Sequence, residues 1–281
     1  MKSGGTFQSP GRQEVGEVPI ATVRDIEVYY EVHGRGAPTL LISGTGGDLA
    51  RNPLRGEGLL EKHFQVLMYD QRGLGQSGKP DSEYTMTDYA DDAATLLDVV
   101  DWPACNVVGV SFGGMVAQHV AIRHPDRVKR LVLACSSAGG EGGASYDLRE
   151  LEGLDPEERL RRWLPILDSR NDTSSTPWTI APGFEMMLGA IAPEPADATR
   201  AMGARRQLEA RAEHDVWEQL PLVKSETLVI GGLYDLQASM KNQEMLAQRI
   251  PGAKLIFCDG GHIFLWQEPS GWEELVAFLQ G

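Results

Sequence analysis

The sequence predicts an α/β fold: a doubly wound, mostly parallel sheet of eight strands flanked by helices, with one helical insertion. Three observations lead there. Short runs rich in β-branched residues alternate with helical spacing along most of the chain. Most of these runs are continuously apolar, as suits strands covered on both faces. From Gly139 to Leu220 the alternation stops and helical patterns replace it.

The elements follow in order. Val18 to Tyr30 reads as two strands turning near Arg24-Asp25, and Thr39-Leu40-Leu41-Ile42 as a compact buried strand. Gln65 to Tyr69, Asn106 to Val110, Arg130 to Ala134, Thr227 to Ile230 and Lys254 to Phe257 complete the eight. Between them Tyr89, Ala93, Leu96, Leu97 and Val100 recur at helical spacing, and Thr85 followed by Asp88 resembles a capping box. Met115 to Arg123 and Gln243 to Arg249 read as further helices, and Trp272, Leu275, Phe278 and Leu279 mark a closing amphipathic one. The insertion carries helical stretches at Pro156 to Leu167 and Ala196 to Leu220, a weaker one at Pro182 to Ile191, and a polar loop from Asp168 to Pro177. This divides the chain into a polar tail expected to be disordered (1–16), a core (17–138 and 221–281) and a helical cap (139–220).

Composition bounds the partners. A chain of 281 residues with 42% hydrophobic and 23% charged residues suits one large globular domain with an insertion. Its formal net charge of −14 repels phosphate backbones, which argues against nucleic acid. No apolar run approaches membrane-spanning length, and the first residues lack the apolar core of a secretory signal, so a cytoplasmic location is expected. Cys105, Cys135 and Cys258 lie far apart without metal-ligand spacing, so neither metal nor cofactor is expected. A homodimer is left open.

The chemistry centres on Gly109-Val110-Ser111-Phe112-Gly113, where an apolar strand runs directly into a G-x-S-x-G turn and a helix begins directly after. Such a turn lifts the serine hydroxyl above the sheet, with a helix N-terminus favouring developing negative charge. A serine hydroxyl needs a base. His262, in Gly260-Gly261-His262, follows the last strand on a glycine-rich loop. His33 reads as turn structure, His119 as a mid-helix packing or surface residue, and His63, His124 and His214 fit the role worse. Asp235 closely follows the strand ending at Ile230 and is the expected acid, with Glu141 as its rival. For the oxyanion, the expected donors are the backbone N–H of Phe112 and of Thr45, the latter in Ser43-Gly44-Thr45-Gly46-Gly47. That loop lacks the Gly-Lys-Ser/Thr of a phosphate-binding P-loop.

With these residues placed, the chain resembles the α/β-hydrolase family from about Val18 onward. Asp70-Gln71-Arg72-Gly73-Leu74-Gly75-Gln76-Ser77 is similar to the family's turn after the fourth strand, read as structural. Ser111-Phe112-Gly113-Gly114-Met115 with a short cap resembles the 3-oxoadipate enol-lactonase and non-haem haloperoxidase-like group, although Ser43-Gly44 stands where many relatives carry His-Gly. The resemblance implies Ser111 as nucleophile, His262 as base, Asp235 as acid, and hydrolysis of a small ester or lactone. Members of the group with C–C hydrolase, perhydrolase or lyase chemistry leave those reactions open, as does a non-turnover receptor. Expected pocket residues are Gly44, Trp163, Trp178, Met186, Ile263 and Phe264, and Arg51, Arg55, Arg205 and Arg206 are candidate partners for an anionic substrate.

Overall fold

A computed structural model describes residues 19–50, 59–184 and 197–281. The tail 1–16, Arg51, Arg55, Met186 and most of the stretch from Pro182 to Ile191 lie outside the described residues.

The strands are β1 (Ile20–Val23), β2 (Ile26–Gly34), β3 (Ala37–Ile42), β4 (Phe64–Tyr69), β5 (Cys105–Val110), β6 (Val128–Ala134), β7 (Glu226–Gly232) and β8 (Lys254–Cys258). They form one sheet in the order β1-β2-β4-β3-β5-β6-β7-β8. Only β1 and β2 run antiparallel to their neighbours; the pairs from β4 to β8 are parallel. β2 extends through His33, expected in a turn, where the imidazole meets Glu31 at 2.7 Å.

Every residue of β5 is buried, as are the last four of β6, because helices cover both faces. On one face lie α1 (Met86–Val99) and α2 (Phe112–Arg123), whose Tyr89, Leu96, Val116 and Val120 pack on Leu40, Val107 and Leu131. On the other, Trp272, Leu275 and Leu279 of the closing helix cover Val108, Val132 and Leu228. The capping box of α1 is formed: Asp88 N–H donates to Thr85 Oγ1 at 3.1 Å, and Thr85 N–H donates to Asp88 Oδ2 at 3.0 Å. Such a cap contributes about 1 kcal/mol.

The insertion carries α3 (Pro156–Leu167) and α4 (Ala198–Ala212). The helical reading from Ala196 to Leu220 is interrupted: α4 stops at Ala212, and a short 3-10 turn, Trp217–Leu222, follows. Ala210, Val216 and Leu220 pack into the main core, so the end of this segment belongs energetically to the sheet. A Cβ on Gly203 would lie 1.9 Å from the Gly73 carbonyl oxygen, so only glycine lets α4 dock directly on the turn after β4.

Two further histidines have a structural role. His119 of α2 and His214 are 3.3 Å apart, and His214 Nε2–H donates to the Ser137 carbonyl at 3.0 Å. A carbonyl only accepts, so His214 Nδ1 accepts from His119 Nε2–H. Burial pushes His119 down to about 4 and His214 to about 3. The unfolded chain, with histidines near 6.5, takes up protons that the native state refuses. Stability from this pair is therefore complete above pH 6.5 and falls as the pH drops toward 4. The expected loss between pH 7 and pH 5 is on the order of 3 kcal/mol. Urea midpoints at the two pH values check this, and His119→Phe should shrink the pH dependence by about half.

Candidate active site

β3, β5, β7 and β8 are parallel, so the loops leaving their carboxyl ends emerge at one edge of the sheet. Ser111 lies immediately after β5, and Gly44 follows β3. Asp235 follows β7 and His262 follows β8.

Ser111 adopts φ +55° and ψ −115° between strand and helix. A residue with a Cβ strains in that region, and the surroundings hold it there. Its N–H donates to Ala134 O at 2.8 Å, and its carbonyl accepts from Gly114 N–H at 2.9 Å and Ser136 Oγ at 3.0 Å. The motif glycines permit the turn by close approach. A Cβ on Gly109 would lie 2.3 Å from Gly113 O, and one on Gly113 2.1 Å from Ile42 O. The Ser111 hydroxyl makes no capping bond to its own helix, which leaves it free to face the loops above.

There it meets His262. Ser111 Oγ and His262 Nε2 are 2.9 Å apart, and His262 Nδ1 is 2.8 Å from Asp235 Oδ2. Asp235 Oδ1 accepts from the backbone N–H of Gln237 at 2.8 Å and of Ala238 at 2.9 Å. All three residues are buried. With a carboxylate on Nδ1, the imidazole carries its proton there and presents Nε2 as an acceptor. Glu141, the rival acid, is exposed.

The cap is fastened to both loops. Leu236 N–H donates to Ile166 O at 3.0 Å, Ser169 N–H to Tyr234 O at 2.9 Å, and His262 N–H to Leu167 O at 2.6 Å. Gly261 is required beneath that contact, since a Cβ there would lie 2.2 Å from Leu167 O.

The loop after β3 lies beside the serine: a Cβ on Gly44 would come within 3.5 Å of Ser111 Cβ. Gln71 Nε2 donates to Ser43 O at 2.9 Å from the core side, and Gly46 N–H donates to Gln207 Oε1 at 2.8 Å on the cap side. Phe112 N–H sits at the first position of α2, where no intrahelical acceptor exists.

Thr45 and Trp163 line a cavity of about 340 Å³ between this loop and the cap. Leu148, Leu151, Leu154 and Leu208 make much of its wall apolar, while Arg159, Glu152 and Arg205, the last paired with Glu209 at 3.1 Å, supply charge of both signs. Trp178 and Ile263 sit instead in a cluster with Leu164, Leu167 and Phe184. Phe264 is fully buried under the sheet with Trp272 and Leu275. These three satisfy their apolar surface by packing the cap and the histidine loop onto the core rather than by walling this cavity. Arg206 pairs with Glu209 and Asp81.

The buried cysteines are held protonated. Burial raises Cys105 to about 12 and Cys258 to about 11, and pushes Cys135 well above the ordinary thiol range. A thiol kept neutral is a poor nucleophile. Among the described residues no cluster of three His, Cys, Asp or Glu could hold a metal ion, and no helix is long and apolar enough to cross a membrane.

Three amides escaped sequence reasoning: Gln71, Gln207 and Gln237. Gln237 Nε2 lies 2.7 Å from His262 Nε2, and Trp163 Nε1–H donates to Gln237 Oε1 at 2.8 Å. Only the nearness of Gln237 to Asp235 in the chain hinted at a place in the site.

Fold and constellation together define a hydrolytic class of enzyme. The chain belongs to the alpha/beta hydrolase fold family, whose model matches residues 32–269. It is similar to 2-hydroxymuconate semialdehyde hydrolase of Pseudomonas putida, with 32% identity over 82% of each chain. It is also similar to 3-oxoadipate enol-lactonase 2 of Acinetobacter baylyi, with 27% identity over 91% of this chain and 93% of that one. Among solved structures, the enol-lactonase from Burkholderia xenovorans LB400 superimposes with a TM-score of 0.75 at 25% identity, covering 94% of this chain and 100% of that one.

Proposed function

We propose that the protein is a serine hydrolase of carboxylic esters or lactones, with Ser111 as nucleophile, His262 as base and Asp235 as the acid that orients it. The observation carrying this reading is the hydrogen-bonded chain Ser111–His262–Asp235, 2.9 and 2.8 Å long, at the carboxyl edge of the sheet. His262 Nε2 takes the Ser111 proton as Oγ bonds to the substrate carbonyl carbon. The Phe112 and Thr45 N–H groups stabilise the resulting oxyanion. Collapse expels the alcohol, which takes the proton from His262 and leaves an acyl group on Ser111. Water, deprotonated by His262, then releases the acid and restores the serine.

The 340 Å³ cavity adjoins the site through Thr45 and is lined by none of Ser111, Asp235 and His262; its apolar wall suits a hydrophobic acyl or alkoxy group that extends beyond the reacting carbonyl. A second reading draws on Arg159 on that wall, since Arg205 is paired with Glu209 and Glu152 offsets the charge: an acidic substrate such as 2-hydroxymuconate semialdehyde, processed by the same residues. A panel of neutral p-nitrophenyl esters, lactones and 2-hydroxymuconate semialdehyde separates the two. The first reading expects turnover of neutral esters and covalent labelling of Ser111 by a fluorophosphonate. An unlabelled Ser111 with no ester turnover would sink it.

A further inference from the structure

Gln237 places a second donor, beside Ser111, on one acceptor. The indole N–H of Trp163 can only donate, so the Gln237 atom 2.8 Å away is the carbonyl oxygen, and the NH₂ group is the one facing His262 Nε2 at 2.7 Å. The Asp235 carboxylate holds the imidazole proton on Nδ1, so Nε2 offers a single lone pair. Both the Ser111 hydroxyl, at 2.9 Å, and the Gln237 amide hydrogen aim at that lone pair.

The conflict sharpens during proton transfer. Once Nε2 carries the serine proton, its N–H has the Ser111 oxygen as acceptor on one side and is opposed by the Gln237 N–H, a second donor, on the other. Gln237 is 3% exposed, so water is poorly placed to relieve the clash, and the Gln237 N–H, left without an acceptor, is costly to bury. The Gln237 backbone cannot swing away easily: its N–H is held by Asp235 Oδ1, and its carbonyl accepts from Tyr146 N–H at 2.7 Å. What remains is rotation of the terminal amide, which presents Oε1 to the imidazolium and breaks the bond to Trp163. Trp163 lies on α3 and on the wall of the cavity that Thr45 also lines.

We infer that Gln237 is a positioning residue through which the cap sets the competence of the catalytic base. With the cavity empty, Trp163 holds the amide so that its N–H competes with Ser111 for Nε2. A group filling the cavity displaces the indole, the amide turns, and its carbonyl accepts from the protonated imidazole. The enzyme thereby favours substrates large enough to reach Trp163. This inference rests on the roles proposed above for Ser111 and His262.

The test uses the full-length enzyme and its Trp163→Phe, Gln237→Leu and double variants. One readout is the rate of Ser111 labelling by a small dialkyl fluorophosphonate that leaves the cavity empty, with the label located by peptide mass spectrometry. The other is kcat and KM on an ester whose acyl chain fills the cavity. Each single variant should label about fivefold faster, the worth of one hydrogen bond, and the double variant no faster than Gln237→Leu alone. On the cavity-filling ester, Gln237→Leu should lower kcat about fivefold with KM within about twofold, because the turned carbonyl is lost. Labelling unchanged or slower in both single variants, or independent effects in the double variant, would overturn the inference. Trp163→Phe keeps an aromatic ring, removes the N–H and leaves Gln237 in place, so it decides the matter alone if Gln237→Leu fails to fold. A parent enzyme that cannot be labelled at Ser111 would overturn the nucleophile assignment itself, whereas a labelled parent with unmoved variants overturns only the role of Gln237.

Discussion

Ser111→Ala is expected to lower kcat for any accepted ester on the order of a million-fold while leaving the fold intact. The magnitude follows from a nucleophile and base that act as a unit, so that losing one costs about as much as losing both. The intact fold follows from local structure. The Ser111 side chain caps nothing in α2, and its backbone is held by Ala134 O, Gly114 N–H and Ser136 Oγ, none of which the substitution touches. His262 keeps Asp235 on one ring nitrogen and Gln237 near the other. The melting temperature should therefore move by no more than a few degrees. Steady-state kinetics with a thermal melt of the same preparation reads both quantities. Retained turnover in a folded Ser111→Ala protein would remove acyl transfer through this residue. Lost turnover in an unfolded one would say nothing of chemistry, which is why both measurements are needed.

How far the site could be read from sequence depends on how each residue is positioned. Ser111 and Asp235 each follow a buried strand and His262 follows the half-buried edge strand β8, and parallel strands bring such positions to one edge whatever their separation in the chain. The histidine and serine are 151 residues apart, yet strand order makes them neighbours. Gln207 and Gln237 have no comparable signal. An amide has no characteristic spacing, and Gly46 and Gln207 meet across 161 residues through the docking of a cap helix. The helices α3 and α4 were legible, but not their packing. Trp163 and Trp178 both pack against one apolar cluster, but only Trp163 also lines the cavity, and nothing in their local sequence separates the two. The boundary drawn at residue 220 met the same limit, since Val216 and Leu220 pack into the sheet's core. Periodicity reports which side of an element is apolar, not which neighbour covers it.

The turn after β4 was read as structural, and its packing makes that reading testable. Arg72 is 3% exposed and forms a two-pronged pair with Asp92 of α1, Nε to Oδ2 at 2.7 Å and Nη2 to Oδ1 at 2.9 Å. Asp25 adds a third contact at 2.9 Å, and Asp92 with Asp25 holds the guanidinium firmly charged. Removing Arg72 leaves the 2% exposed Asp92 with only the partly exposed Arg24, 3.1 Å away. Breaking one side of a buried pair typically costs 3–5 kcal/mol, and the residual Arg24 contact places the expected loss for Arg72→Met at about 3 kcal/mol. Urea unfolding at pH 7 reads that number. The double variant Arg72→Met/Asp92→Leu should recover most of it, because the penalty comes from the abandoned carboxylate rather than from the missing cation. The same turn carries Asp70 and Gln71, which hold Leu49 N–H and Ser43 and so set the loop beside Ser111. In Arg72→Met, kcat measured well below the melting temperature should fall far less than in Ser111→Ala, since the two braces remain. A loss of activity as deep as that of Ser111→Ala, at a temperature where the variant is folded, would instead place Arg72 among the residues that act on substrate.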